Sequence, residues 1–96
     1  MNEEENVRVD YSKEFTKRLK KCPLPIKEAF RERLDLFLRQ RINSQLHDHG
    51  LIGKFKGCRS FNVTGDWRAV YREEVSPDRN RVIIFLTFGT HSQLYK

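Results

Sequence analysis

The chain holds three histidines, and each stands beside groups that could use a proton. His91 lies where an apolar run ends, in Gly89-Thr90-His91-Ser92-Gln93-Leu94-Tyr95. His47 and His49 flank Asp48 in a stretch bordered by Gly50 and Gly53. Histidine has the side chain whose ordinary pKa lies nearest neutrality, which makes it the usual proton-transfer group. Between residues 54 and 72 the cations Lys54, Lys56, Arg59, Arg68 and Arg72 meet a single acid, Asp66. Histidines beside clustered cations suit chemistry on a phosphodiester. In RNA cleavage a base takes the proton of the 2′-hydroxyl, an acid protonates the departing 5′-oxygen, and cations stabilise the crowded anion between them. The nucleophile belongs to the substrate, so the reaction calls for positioning and charge, with no metal and no cofactor.

Each of these residues also has a plainer reading. A strand-end histidine can simply bond to backbone, and Tyr95 can cap a core rather than stack on a base or donate to a phosphate. Asp66 can be a turn residue or can orient a histidine. Basic residues on strands also protect sheet edges from aggregation. His47 and His49 have a spacing that can hold a metal, but no third ligand follows at a useful distance. Cys22 and Cys58 show no metal-ligand or disulfide-scaffold pattern and read as reduced thiols, Cys58 buried.

Something must position these groups, and 96 residues allow one domain, spanning residues 1–96. Lys and Arg total 19 against 13 Asp and Glu, a net charge of +6, which favours a polyanionic partner. Met1-Asn2-Glu3-Glu4-Glu5 is acidic, unlike a targeting segment, and residues 1–5 read as a frayed tail. No apolar run reaches the roughly 18 residues that span a bilayer, so the expectation is a cytoplasmic protein with no membrane partner.

Val7 to Tyr11 alternates with period two and predicts a strand. Ser12 can cap a first helix running to about Lys21, where Pro23 and Pro25 break it. A second helix is expected from about Pro25 to Ile42, with Ile26, Phe30, Leu34, Phe37 and Leu38 on one stripe. Residues 43–57 read as a loop. Strands follow at 59–63, at 67–72 with Trp67, Ala69 and Tyr71 on one face, and at 82–88. Thr64-Gly65-Asp66 and Ser76-Pro77-Asp78-Arg79-Asn80 mark the turns. The expected fold is α+β in the order β-α-α-β-β-β. It is an antiparallel sheet with a helical hairpin on one face, and the first strand is expected beside the last. The basic run Lys17-Arg18 and Lys20-Lys21 reads as a solvated helix face that could also dock on ribosomal RNA.

The segments Asp48-His49-Gly50-Leu51, Gly53-Lys54-Phe55-Lys56-Gly57-Cys58-Arg59, Val63-Thr64-Gly65-Asp66-Trp67-Arg68-Ala69-Val70-Tyr71-Arg72 and Gly89 to Tyr95, taken together, resemble the RelE/ParE superfamily of bacterial type II toxins. The resemblance is nearest to the YafQ branch and covers about residues 7–96. It implies a compact sheet like that of microbial ribonucleases. It also implies an endoribonuclease that cuts mRNA in the ribosomal A site and is silenced by an acidic antitoxin, with operator DNA met only through the toxin–antitoxin complex. Carried over by position, His49, Asp66 and His91 are the catalytic set, and Tyr95 is the terminal aromatic. Lys54, Lys56, Arg59, Arg68, Arg72 and Asn62 are the expected RNA contacts. Asn62 departs from the branch, which has a histidine there. Asn hydrogen-bonds but does not exchange a proton near neutrality. Two alternatives stay open: a ParE-like inhibitor of DNA gyrase, and a degenerate toxin without catalysis.

Overall fold

A computed structural model describes residues 7–95, so the expected tail at 1–5 lies outside the described residues. Strand β1 (Val7–Tyr11) leads into helix α1 (Lys13–Lys20) and then α2 (Leu24–Arg39). The side chain of Ser12 accepts from the Phe15 N–H at 3.0 Å and caps α1 as its position predicts. Pro25 falls in the first turn of α2, where a missing N–H costs nothing. That helix ends at Arg39, before the expected Ile42, and Ile42 stands 95% exposed. Leu38 is exposed too, while Phe30 and Phe37 carry the buried stripe.

The stretch expected as loop holds a two-residue strand, β2 (His49–Gly50), between 3₁₀ turns at 44–46 and 53–55. Strands β3 (Arg59–Thr64), β4 (Trp67–Val75) and β5 (Arg81–Thr90) form a meander. The sheet order is β1-β5-β4-β3-β2. β1 does lie beside the last strand, but parallel to it, so the sheet is mixed rather than wholly antiparallel. The reason is the connection: α1 and α2 carry the chain back before the meander begins, as a parallel partner requires. After β5 the chain turns into a one-turn helix, α3 (His91–Leu94).

One core joins the helices to one sheet face. Phe15, Phe30 and Phe37 pack on Phe61, Val63, Ala69, Tyr71, Ile83, Phe85 and Phe88. Side chains alternate along a strand. Ser60, Asn62, Arg68, Val70 and Arg72 therefore belong to the face turned away from α1 and α2. Cys58 is only half-buried, short of its expected burial.

Candidate functional site

The site assembles where β4 begins and β5 ends. Register pairs Asn62 with Arg68 and Arg68 with Gly89, so β3, β4 and β5 bring these positions level. Arg68 donates to Asn62 Oδ1 at 3.4 Å and reaches Asp66 at 3.8 Å. Its Nε is buried with no hydrogen-bond partner. Asp66, in the β3–β4 turn, accepts the His91 backbone N–H at 3.3 Å. The two ends of the β4–β5 pair are thus tied together beside the imidazole.

His91 opens α3, and its exposed ring lies 4.7 Å from the Tyr95 ring. The helix exists because Thr90 and Gln93 form a reciprocal cap. The Thr90 hydroxyl accepts from the Gln93 N–H at 3.3 Å, and Gln93 Oε1 accepts from the Thr90 N–H at 2.9 Å. Thr-x-x-Gln was the sequence signal for this turn, and the apolar run before it masked it. Gly89 leaves room for the cap, since a Cβ there would stand 2.8 Å from Gln93 Oε1 and the amide would have to move. From Tyr95 a chain of contacts reaches the 53–55 turn. Phe55 meets Tyr95 edge-on at 5.5 Å, and Lys54 lies over the Phe55 ring at 5.2 Å. Phe55 thus joins Tyr95 to Lys54, a contact that no spacing in the sequence announces. Lys56 is exposed at the end of the same turn.

His49 reaches the same sheet face by pairing. It lies opposite Ser60, two residues from Asn62. Its Nδ1 lies 2.7 Å from the His47 carbonyl oxygen. A carbonyl only accepts, so Nδ1 carries the proton and Nε2 of the neutral ring holds a lone pair. His47 presents that carbonyl from a left-handed conformation, φ 47°.

Its neighbour Asp48 goes to the helix side and is 8% exposed. It accepts from the Tyr71 hydroxyl at 2.6 Å and from Arg59 Nε at 2.9 Å, and Arg59 also reaches the Asp48 carbonyl oxygen at 3.3 Å. Arg41 approaches at 3.8 Å and bonds to Glu73, which also accepts from Arg81 Nε at 2.8 Å. Burial, then the Asp48 bond, pushes the Tyr71 hydroxyl up to about 12. The Arg41 hydrogen bond, outweighing burial, holds Glu73 below the usual carboxylate range. No pattern in the sequence announces this network, since Asp48 and Tyr71 lie 23 positions apart.

The structure therefore groups His91, Asp66, Arg68, Asn62, Tyr95 and Lys54, with His49 on the same face. Arg59 is not with them: it is paired to Asp48 on the helix side. Arg72 shares the face but is bonded to Glu74 at 2.9 Å. Among the described residues no three His, Cys, Asp or Glu side chains come together as a metal site. Among them, too, no helix is long and apolar enough to cross a membrane.

This fold has counterparts among solved structures. E. coli YafQ (strain BL21(DE3)) superposes with a TM-score of 0.71 at 23% identity, covering 95% of this chain and 100% of that one. YafQ in the E. coli DinJ-YafQ toxin-antitoxin complex gives 0.68 at 24%, covering 95% and 99%. The archaeal RelE-RelB complex from Pyrococcus horikoshii OT3 gives 0.65 at 22%, covering 92% and 98%. No curated protein matches by sequence. The family described as "Bacterial toxin of type II toxin-antitoxin system, YafQ" matches residues 7–96, and the chain belongs to it.

Proposed function

We propose that this toxin is a ribosome-dependent mRNA endoribonuclease that uses the 2′-hydroxyl of its substrate as nucleophile. The observation that carries the reading is the grouping of His91, Asp66 and Arg68 at one corner of the sheet, on the face His49 shares. His49 Nε2 takes the 2′-hydroxyl proton. The 2′-oxygen attacks phosphorus, the bond to the 5′-oxygen breaks, and His91 gives that oxygen a proton. The products are a 2′,3′-cyclic phosphate and a 5′-hydroxyl end. Arg68 stabilises the charge that builds on the phosphate oxygens. Asp66 orients His91 through the backbone of α3, so it acts as a positioning residue. Lys54 and Lys56 attract the RNA backbone, Tyr95 stacks on a base, and Asn62 supplies a hydrogen bond where its relatives supply an imidazole. Arg59 is held on the helix side by Asp48, while Arg72, beside exposed Glu74, adds to the positive field of the sheet face.

The solved complexes of relatives with DinJ and RelB support a proteinaceous antitoxin as partner here; operator DNA would be met only through such a complex. An acidic segment suits a chain of net charge +6. The setting is the cytoplasm, where ribosomes and mRNA are. The test is to induce the chain with a tagged mRNA and map 5′ ends. New 5′-hydroxyl ends within coding sequence are expected. Growth arrest with intact transcripts would overturn the reading, and accumulated gyrase–DNA cleavage complexes would replace it.

A further inference from the structure

A cavity of about 510 Å³ lies between α1 and the corner where β4 begins, and Glu14, Lys17, Arg18 and Lys21 line one side of it, three cations against one acid. Trp67 and Phe88 line the other, their rings stacked with centroids 5.5 Å apart and an interplanar angle of 21°. Arg18 is held in place, 3.3 Å from Glu14 and 3.4 Å from the Phe88 carbonyl that accepts its N–H. Lys17 and Lys21 are exposed and one helical turn apart, so they present their charges together. A half-buried indole facing several cations is the pairing that single-stranded nucleic acid uses: a base stacks on the ring and the phosphates follow the cations. This also gives the basic run of α1 a task.

Position links the cavity to the site. Trp67 stands between Asp66 and Arg68, and alternate strand residues face opposite sides. Gln93, which also lines the cavity, is two residues from His91 in α3. A strand that crosses the β3–β4 turn passes from the histidine face to the indole. We propose that this cavity binds a nucleotide of the RNA flanking the cleaved bond, its base against Trp67 and its phosphates on Lys17 and Lys21. The proposal rests on RNA being the substrate.

Trp67 is the single tryptophan of the chain, so its emission reports directly on the cavity. The probe is a 2′-O-methylated RNA heptamer, which lacks the nucleophile and stays intact. Titrated into the full chain, it should quench the emission by about half, and the same backbone without bases should bind with little quenching. The exchange K17E/K21E, at exposed positions, should raise Kd at least roughly tenfold. Heptamer binding with unchanged emission, and a Kd within twofold in K17E/K21E, would overturn the subsite while leaving mRNA cleavage intact. Absence of both cleavage and heptamer binding would instead remove the nuclease reading on which it rests. If a polyglutamate peptide quenches Trp67 and the heptamer does not, the occupant is an acidic protein segment and the RNA assignment is overturned.

Discussion

His49 and His91 are held in different ways, and the difference suits the base and acid roles proposed for them. The His47 carbonyl fixes the proton of His49 on Nδ1, which leaves Nε2 free as a base. His91 is tied through its backbone N–H and a neighbouring ring, so its imidazole nitrogens stay available to solvent and substrate. Replacing a proton-transfer group costs about 10²–10⁴ in rate. His91→Gln should therefore lose cleavage on that scale. Because the ring is exposed, the urea midpoint should move by less than the equivalent of about 0.5 kcal/mol. Single-turnover cleavage and urea melts measure the two effects, and full activity in this variant would rule out the assignment of His91 as the acid. At residue 62, Asn accepts from Arg68 but exchanges no proton. Asn62→His should raise the single-turnover rate several-fold, and an unchanged rate would mean that His49 and His91 already supply all the proton transfer the reaction uses.

The element that decides the geometry is α3, a four-residue helix too short to persist without its cap. Thr90 and Gln93 close it, and Gly89 leaves the space that Gln93 needs. A methyl at residue 89 must displace an amide oxygen that is already bonded to the Thr90 N–H. Gly89→Ala should thus open the cap, free His91 from Asp66, and lower cleavage by about tenfold or more. The sheet, whose pairing lies elsewhere, should keep its fold. Amide exchange at residues 91–95 reads the local loss directly, and slow exchange there in the variant would contradict this account. Thr90→Ala, which removes one cap acceptor, should cost about 1 kcal/mol locally.

At the scale of the whole molecule, the Asp48 network joins β2, β3 and β4 to the end of α2. Tyr71→Phe leaves a buried carboxylate without its hydroxyl donor, and a loss of about 1–3 kcal/mol in global stability is expected. Chemical denaturation of the two proteins checks it. The pH dependence has a definite sign. Tyr71 holds its proton more tightly folded than unfolded, with the hydroxyl pushed up to about 12 against an ordinary 10. Its contribution is complete below pH 10 and disappears as the pH rises from about 10 to about 12. Glu73 is displaced the other way. Its contribution is present above the ordinary carboxylate pKa and is lost as the pH falls through its lowered folded value. Denaturation midpoints across pH should fall at both ends, and Tyr71→Phe should remove the alkaline decline attributable to this hydroxyl.

Much of this was legible in the chain because it depends on local order. Period-two runs, Ser12 as a cap, the proline break and the Thr-Gly-Asp turn each act over a few residues, so they mark β1, α1, α2 and the meander. The motif residues likewise identify the family. Three things rest on contacts between distant residues. β1 runs parallel to β5 because the helices return the chain before the meander starts, a matter of path rather than of pattern. Arg59 looks identical to Arg68 as a residue type, yet the Asp48 carboxylate holds it on the helix side, and only folding brings the two together. Residue types and spacing marked His49, Asp66 and His91 as candidates. Tertiary structure tied Asp66 to His91 and set His49 on the same sheet face, since cross-strand register and a capped turn, not sequence distance, govern which side chains come to one face.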